Sequence, residues 1–471
     1  MTSKVIKSVG IDVGTTTTQV IFSQLELVNA AADSEVPRYE FSRREVSYVS
    51  PVIFTPIDFE GNIRGPELKN FIVSQYDAAG VAIGDVETGA IIVTGETLKA
   101  QNARRVVMKL AEQLGDFVVA TAGPHLESVI AGHGSGAAEY SRQHSLRVLN
   151  IDIGGGTSNY AVFENGKLVD TACLNVGGHL IEIVRHGEVS RLHGPARTIL
   201  AACFPTMPDS LEASHIGVVV KQMADLIVEM IEGKISDLAR ALLQTPGLQA
   251  HRGLDAVFLS GGVGECYFRA DAKEQDFGDV GPQLAAALRQ HPRLREMPVK
   301  EPKHTLRATV IGAGAHTLSL SGSTIWLNFE ALPIRNVPVL QPLGSAIDDP
   351  ASLAGAWKAS ARIQDIALDE DCYALAVPSE LTVNYRSVLF CVSALRLFMD
   401  DCANGTHPLI VVARQDFGMA LGMELQPFMK ARELVVIDEV EIREWDYIDI
   451  GRAMFSNTVV PLTIKSLAFS S

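Results

Sequence analysis

The chain contains 471 residues, 47% of them hydrophobic, and carries a formal net charge of −15. A chain of this length can bury large cores in about two to four domains, and it has no apolar run as long as a secretion signal or a membrane span, so we expect a cytoplasmic protein. Its acidic charge argues against nucleic acid or an anionic membrane as a partner, because phosphate-rich surfaces attract proteins of the opposite sign.

An apolar strand near the start ends in a turn rich in glycine and threonine, Gly10–Thr18 (GIDVGTTTT), and a second apolar strand follows it. Glycine lets backbone N–H groups approach an anion closely, and threonine hydroxyls add further donors. The turn is therefore a candidate phosphate site. Taken singly, such a turn is as often an ordinary hairpin bend.

Strands and helices alternate in the prediction from this hairpin to residue 127. The predicted strands are Arg38–Tyr48, Val52–Thr55, Gly89–Thr94 and Phe117–Ala120, and the predicted helices are Glu67–Asp77, Arg104–Leu114 and one that begins near Glu127.

The six cysteines of the whole chain include no C-x-x-C pair and no zinc-type spacing with histidine, which predicts reduced, mostly buried thiols.

The first turn is repeated at Asn150–Ser158 (NIDIGGGTS), again between two apolar strands. An aspartate stands at the same place in both copies, as Asp12 and as Asp152. A carboxylate beside a polyphosphate is repelled unless a cation lies between them, and Mg²⁺ is normally held by one or two carboxylates together with phosphate oxygens and water. Two such turns in matching context therefore predict a site for Mg²⁺ and a polyphosphate.

Two further elements precede the last third of the chain. Apolar residues recur on one helical face from Ile216 to Ile231, and burial against a core explains this stripe better than contact with a cofactor. Ala256–Gly264 (AVFLSGGVG) is an apolar strand that ends in a glycine cluster. This form is expected where the backbone lies close against a flat ring or a sugar.

The character of the sequence changes past Pro333. Ile334–Pro342 and Ile347–Pro350 contain several prolines and are predicted to form a linker. The following segments alternate as strand, helix, strand, helix and strand, which is typical of a small parallel α/β domain, and Ile448–Phe469 is predicted to be rich in strands. With no phosphate turn in this part, we expect a partner-binding or structural appendage. The alternating segments are Tyr373–Val377, Tyr385–Met399, Leu409–Ala413, Met419–Lys430 and Leu434–Ile437.

In this order, the three glycine-rich turns resemble the phosphate-1, phosphate-2 and adenosine motifs of the actin, sugar kinase and heat-shock 70 superfamily. Glu127–Gly136 resembles its first connecting helix and Val310–Leu318 its second, while Ala172–Gly178 resembles the strand and Gly-Gly turn after the second phosphate loop in the heat-shock 70 branch. The resemblance implies an α/β fold, an actin-like ATPase with two ribonuclease H-like lobes around ATP. We assign residues 1–146 to lobe I, 147–332 to lobe II and 333–471 to a C-terminal α/β and strand-rich region.

The resemblance extends over nearly the whole chain to the family of reactivating factors of ethanolamine ammonia-lyase, an enzyme that uses adenosylcobalamin. It implies a chaperone-like ATPase, with ATP and Mg²⁺ as cofactors, that opens the lyase so that damaged cobalamin leaves and adenosylcobalamin rebinds. The factor would contact cobalamin only through the lyase, in the cytoplasm and in the ethanolamine bacterial microcompartment; a homodimer is left open. The segments that carry this resemblance are Val36–Phe41, Leu114–Val119, Ala122–Glu127, Gly261–Tyr267, His316–Trp326 and Ile464–Phe469.

The superfamily resemblance also implies roles for individual residues. Asp12 and Asp152 match the aspartates that position Mg²⁺ and its waters, and Glu127 matches the acidic residue that orients the attacking water, so Glu127 and Asp152 are the catalytic candidates. The alternative for Glu127 is a charge favoured by the helix N-terminus, and for Thr15 and Thr16 it is local stabilisation of the turn. The predicted phosphate donors are Gly14, Thr15, Thr16, Gly154, Gly155, Gly156 and Thr157, and the predicted adenosine contacts are Ser260, Gly261, Gly262 and Gly264.

Other functions share the superfamily fold. A phosphotransferase of the sugar or acetate kinase type would need a general base and a substrate pocket beside the γ-phosphate, and a polymerising actin-like protein would form filaments. A peptide chaperone lacks support because no substrate-sandwich and lid pattern follows the second connecting helix. P-loop, nucleophile-elbow and zincin motifs are absent from the sequence. We assign no role to His125, His133 or His316, since structural or solvent-facing histidines explain them.

Overall fold

Among the residues that it describes, a computed structural model of the chain contains three large β-sheets, each built from a consecutive part of the sequence, and one two-stranded hairpin. It describes residues 3–467 apart from 15–16, 30–38, 59–61, 87, 95–101, 115–117, 185–187, 205, 207, 209, 270–277, 303–315, 321–324, 328–331, 344–346, 402–406, 430–431 and 452–459.

The first sheet lies in lobe I and has the strand order β3-β2-β1-β5-β6, with the short β4 paired to β2. Strands β1, β2 and β3 are antiparallel neighbours, while β5 and β6 continue the sheet in parallel with β1. Apolar side chains of β1 and β5 pack against helices α1 and α2 to form the core of the lobe. The elements are β1 (Ser3–Val13), β2 (Thr17–Asn29), β3 (Tyr39–Val49), β4 (Ile53–Phe54), α1 (Gly65–Ala79), β5 (Thr88–Thr94), α2 (Ala103–Leu114) and β6 (Val118–Ala122).

Two helices, α3 (Pro124–Gly134) and α4 (Ala137–His144), lead from this sheet to the next. Helix α3 packs on the second sheet. Glycine is required at Gly132, because a Cβ there would overlap the ring of Phe163. Gly132 therefore allows α3 to lie close against β8.

The second sheet lies in lobe II and has the strand order β9-β8-β7-β12-β13. Its first three strands are antiparallel neighbours and its last two are parallel to β7, so it repeats the connectivity of lobe I. This duplication confirms the predicted actin-like fold with two ribonuclease H-like lobes. The elements are β7 (Arg147–Ile153), β8 (Ser158–Glu164), β9 (Lys167–Leu174), β10 (Ile181–Ile183), β11 (Val189–Leu192), α5 (Gly194–Cys203), α6 (Ala213–Glu232), α7 (Asp237–Leu242), β12 (Ala256–Ser260), α8 (Gly261–Phe268), α9 (Gly281–Gln290), α10 (Pro292–Arg295) and β13 (Val299–Lys300).

Helix α6 carries the apolar stripe that the sequence assigned to a core. Ile216, Met223, Ile227 and Ile231 are all buried in the core of lobe II. The prediction of a core stripe is confirmed.

The third sheet has the strand order β14-β21-β20-β16-β17-β18-β19-β15. Strands β16 to β19 are parallel, and the intervening helices pack on one face in a core around Trp357 and Phe398. The elements are β14 (His316–Leu320), β15 (Trp326–Leu327), β16 (Ile334–Leu340), α11 (Pro350–Ile363), β17 (Ala374–Ala376), α12 (Tyr385–Asp401), β18 (Leu409–Val412), α13 (Gly418–Leu425), β19 (Leu434–Ile437), β20 (Asp446–Ile450) and β21 (Pro461–Ser466).

In the part of the chain that the structure describes, we find no helix long and apolar enough to cross a membrane.

Two predictions made around residue 333 are wrong. The predicted linker Ile334–Pro342 contains β16, whose residues Val337 and Val339 are buried between β17 and β20. The predicted second connecting helix Val310–Leu318 is a strand from His316 onward, and its residues 310–315 lie outside the described residues. Because β14 and β15 pair within the third sheet, that sheet begins before residue 333; the division of the chain at residues 146 and 332 stays a prediction.

The third sheet is joined to lobe I by an asparagine in a β-bulge. Asn336 has a left-handed backbone (φ +54°), and its side-chain amide donates to Val119 O (2.6 Å) and accepts from Val119 N (3.2 Å). The amide therefore pairs with the outer strand β6 much as another strand would. Beside it, Trp445 and Tyr447 pack in one apolar cluster with Ile92 of lobe I.

Candidate functional site

The first glycine-threonine turn joins β1 to β2 at the end of the lobe I sheet. Asp12 is paired with Gln19 across the hairpin and lies beside Ile92 of β5 on its other side, which places it in the middle of the sheet. The turn is held by Thr55, whose hydroxyl donates to Gly14 O (2.7 Å) and lies 2.9 Å from the Thr18 hydroxyl. Thr15 and Thr16 lie outside the described residues.

The second turn joins β7 to β8 and places Asp152 at the matching position of lobe II. The Asp152 side chain is buried, and its Oδ1 accepts a hydrogen bond from the Ser260 hydroxyl (2.8 Å). Asn150 Nδ2 donates to the same hydroxyl (3.2 Å). Ser260 was predicted from the sequence as an adenosine contact, but its role in orienting the Asp152 carboxylate was missed, because it depends on the pairing of β12 with β7.

The carbonyl groups of the second turn are held from the Gly-Gly segment that follows β9. Gly178 N donates to Gly154 O (2.9 Å), and His179 N donates to Gly155 O (2.7 Å). A Cβ at Gly177 would lie 2.5 Å from Gly155 O, so the contact requires glycine there. A Cβ at Gly156, in contrast, would meet no heavy atom within 4 Å. Packing within the protein does not explain the glycine at 156, whereas close approach of a phosphate would.

The third turn starts helix α8. Gly261 has φ +80°, and a Cβ on it would lie 2.5 Å from Ile153 O; a Cβ at Gly264 would lie 2.8 Å from Leu259 C. These two glycines allow α8 to pack against the strands of lobe II. A Cβ at Gly262 would meet no atom within 4 Å, so this residue is the one with space beside it for a ligand.

An amide oxygen beside Asp152 also fits a bound ligand. Asn159 is opposite Asp152 in the β7–β8 pairing, and its Nδ2 lies 3.3 Å from the Thr157 hydroxyl. Asn159 Oδ1 is buried and has no hydrogen-bond partner among the described residues. Buried polar atoms are normally paired, so this oxygen is suited to a water of a bound metal ion.

Residues next to the two turns meet across the interface of the lobes. Phe54, an exposed residue of β4, is paired with Thr17 just after the first turn, and its ring centroid lies 6.3 Å from that of His179. The backbone N–H of His179 is one of the two that hold the second turn. The strand β4 beside the first turn and the segment that holds the second turn therefore lie on facing edges of the two lobes.

Glu127 lies in the first turn of α3 and is buried. The N-terminus of this helix is capped from the turn after α11, because His125 N and Leu126 N donate to the two carboxylate oxygens of Asp365 (3.4 and 2.7 Å). The pKa of Asp365 is raised to about 7, mainly by burial and to a smaller extent by the Glu127 charge, against the opposite effect of the two N–H groups. Asp365 was missed at the sequence level, since nothing in its local pattern points to a helix more than 200 residues earlier.

The histidines near α3 have structural surroundings. His125 Nδ1 lies 2.7 Å from the Thr171 hydroxyl, and burial lowers the pKa of His125. The His133 ring lies edge-on to Phe163, with centroids 5.3 Å apart, and burial lowers the pKa of His133 to about 4. Neither arrangement adds a residue to the candidate site.

Comparison with known proteins gives matches over the full chain. A sequence model of the family described as ethanolamine utilisation protein EutA matches residues 4–470. Two relatives, from Salmonella typhimurium and Escherichia coli, are each described as ethanolamine ammonia-lyase reactivase EutA. Each is 55% identical over 473 residues, and each alignment covers 100% of this chain and 100% of the relative.

The chain is also similar to solved structures over about two thirds of its length. An exopolyphosphatase from Cytophaga hutchinsonii is 12% identical with a TM-score of 0.37, covering 65% of this chain and 96% of that chain. The ethanolamine utilization protein EutJ from Carboxydothermus hydrogenoformans is 16% identical with a TM-score of 0.32, covering 64% of this chain and 87% of that chain. Because these TM-scores are low, they give no further support to the fold assignment, which rests on the sheet topology.

Proposed function

The chain belongs to the EutA family of ethanolamine utilisation proteins, and on that premise we propose that it is an ATP-dependent reactivating factor of ethanolamine ammonia-lyase. The observation that carries the proposal is 55% identity to named reactivases over the full length of both chains. The factor opens a lyase that holds damaged cobalamin, so that the damaged cofactor leaves and adenosylcobalamin enters. It must therefore bind the open lyase more tightly than the closed one, since a ligand shifts an equilibrium only by its differential affinity.

ATP and Mg²⁺ are the proposed cofactors, held between the two glycine-rich turns. Asp12 and Asp152 would hold the ion and its waters, with Ser260 keeping the Asp152 carboxylate in place. Mg²⁺ when bound would offset the negative charge of the phosphates. Gly156 and Gly262 are supported as ligand contacts by the open space beside their Cα atoms.

The remaining predicted contacts keep their proposed roles. Glu127 would orient the attacking water, and Asp365 would fix the start of the helix that carries it. The other proposed phosphate donors are Gly14, Thr15, Thr16, Gly154, Gly155 and Thr157, and the other proposed adenosine contacts are Ser260, Gly261 and Gly264.

The C-terminal region is the proposed contact surface for the lyase. Tyr385 and Leu389 on α12 and Met419 and Met423 on α13 are all exposed, and each pair is spaced four residues apart on one helical face. Exposed apolar residues grouped on neighbouring helices are typical of protein-binding surfaces. We call these four residues the α12–α13 patch. A homodimer and a location in the ethanolamine microcompartment are further proposals, to be tested by light scattering and by purification of the compartments.

Reactivation of a blocked lyase tests the proposal. The protein is incubated with cyanocobalamin-blocked ethanolamine ammonia-lyase, adenosylcobalamin, Mg²⁺ and ATP, and ammonia production is followed. We expect activity to return with the wild-type protein and ATP, and not with the Asp12→Asn variant. A lyase that stays inactive with wild-type protein would refute the reactivating function, whereas normal reactivation by Asp12→Asn would refute only the metal role of Asp12.

A further inference from the structure

Three segments of lobe II meet beside the second turn. The strands of the β10–β11 hairpin pair Glu182 with Arg191, and His193 N donates to Leu180 O (3.0 Å) at the end of the hairpin. The segment that contains Asp279 bridges to Glu182 from the other side. Backbone pairing therefore fixes the positions from which His179, Glu182 and His193 extend.

The side chains of these three residues converge on one point. His193 Nε2 lies 2.8 Å from Glu182 Oε1, and His179 Nε2 lies 3.5 Å from the same oxygen. One nitrogen from each histidine and one oxygen from the glutamate all lie within 4.8 Å of one another. All three residues are half-buried, so the cluster is shaped by the protein and still reachable from solvent.

A fourth residue orients one of the histidines. Asp279 Oδ2 lies 3.1 Å from His179 Nδ1, and Asp279 Oδ1 accepts from Gly281 N (2.8 Å). When Nδ1 carries the ring proton and donates a hydrogen bond to Asp279, Nε2 keeps a lone pair that points toward Glu182. A carboxylate that holds the outer nitrogen of a histidine in this way is the usual support of a metal ligand.

We propose that His179, His193 and Glu182 bind one divalent transition-metal ion, such as Zn²⁺, with Asp279 as the residue that positions His179. Two imidazoles and one carboxylate suit Zn²⁺ and its first-row neighbours, whereas Mg²⁺ prefers sites made of oxygen ligands. The site is thus separate in chemistry and residues from the proposed nucleotide site. An ion bound here would link the hairpin to His179, whose backbone N–H holds Gly155 O of the second turn.

Cobalt titration tests the site directly, with Co²⁺ as a visible substitute for Zn²⁺. The full-length protein is titrated in excess Mg²⁺, which occupies sites made only of oxygen ligands. We expect one Co²⁺ per chain with the absorption bands of a low-coordinate ion, and one equivalent of Zn²⁺ should abolish these bands. Asp279→Asn should weaken binding about 10- to 100-fold.

Two histidine variants separate binding at this cluster from binding elsewhere. His193→Ala should lose the bands, while His144→Ala, which removes an exposed histidine outside the cluster, should keep them. His193→Cys keeps a ligand at the position and should add a thiolate-to-cobalt charge-transfer band. Melting curves without metal check that each variant is folded. Wild-type binding no tighter than that of His193→Ala, together with no charge-transfer band in folded His193→Cys, would overturn the proposal and leave an ion-pair cluster.

Discussion

The contact between Asp365 and helix α3 makes the stability of this protein depend on pH in a direction that can be tested. Asp365 has a pKa of about 7 in the folded chain against 3.8 ordinarily, because burial penalises its ionised form. Folding therefore takes up a proton between these values. The stability that this proton contributes is complete below about pH 3.8 and decreases as the pH rises from there through about 7. Above that range, stability no longer changes with the ionisation of Asp365.

The size of the effect follows from the pKa and from burial. Between about pH 5.5 and 8.5, the full shift would remove roughly 2 kcal/mol, and solvent access at a half-buried residue reduces this to on the order of 1 kcal/mol. Asp365→Asn resembles the protonated acid in shape and keeps one acceptor for the helix. We expect the variant to equal the wild type near pH 5.5 and to exceed it by about 1 kcal/mol near pH 8.5.

Urea unfolding followed by tryptophan fluorescence at the two pH values measures this difference. Asp348→Asn serves as the control, because it removes the same charge at an exposed position in the same region. Asp365→Gly tests the cap itself, because glycine accepts the left-handed backbone of this residue (φ +54°) but offers no side-chain acceptor. Loss of the cap should cost about 1 kcal/mol or more of stability, partly offset because glycine relieves the backbone strain at this position. Parallel pH curves for wild type and Asp365→Asn would refute the reasoning.

Three further experiments, with five substitutions in all, test the site and the lyase surface. Glu127→Gln should bind ATP normally and hydrolyse it about 10²- to 10⁴-fold more slowly in a phosphate-release assay; an equal loss of binding would give Glu127 a structural role. Gly156→Ala should fold normally but bind nucleotide at least about tenfold more weakly by calorimetry. Gly177→Ala, in contrast, should lower the melting temperature, because its Cβ would meet the second turn and overpacking costs about 1–3 kcal/mol. Met423→Asp in the α12–α13 patch should impair lyase reactivation but not ATP binding, in contrast to Val218→Asp on an exposed part of α6; equal reactivation by both would remove the patch from the contact surface.

The sequence predicted those parts of the fold whose signals are local. Both hairpins that carry Asp12 and Asp152 were recognisable because an apolar strand, a glycine-rich turn and a second strand follow one another directly. The alternation of strands and helices after residue 373 was also visible, since each apolar run is short and is bounded by polar residues. The resemblance to the superfamily then supplied the two ribonuclease H-like lobes, which no local pattern contains.

The features that the sequence did not reveal depend on contacts between distant segments. Pro338 and Pro342 predict a linker rather than a central strand, because proline cannot donate a hydrogen bond to a neighbouring strand. The chain nevertheless forms β16, with Pro338 opposite Tyr447 just after a bulge. Asp365 and Asn336 resemble ordinary turn residues until the partners in lobe I are known. In the site, the hydrogen bond from Ser260 to Asp152 likewise exists only once β12 lies beside β7.

The apolar cluster that joins Trp445 and Tyr447 to Ile92 has a mechanical consequence. Together with the Asn336 amide on β6, it ties the third sheet to lobe I. A small rotation of lobe I, of the kind that opens or closes a cleft, would then pull on the third sheet and on the helices α12 and α13 that pack against it. These contacts would couple events at the turns to whatever α12 and α13 hold.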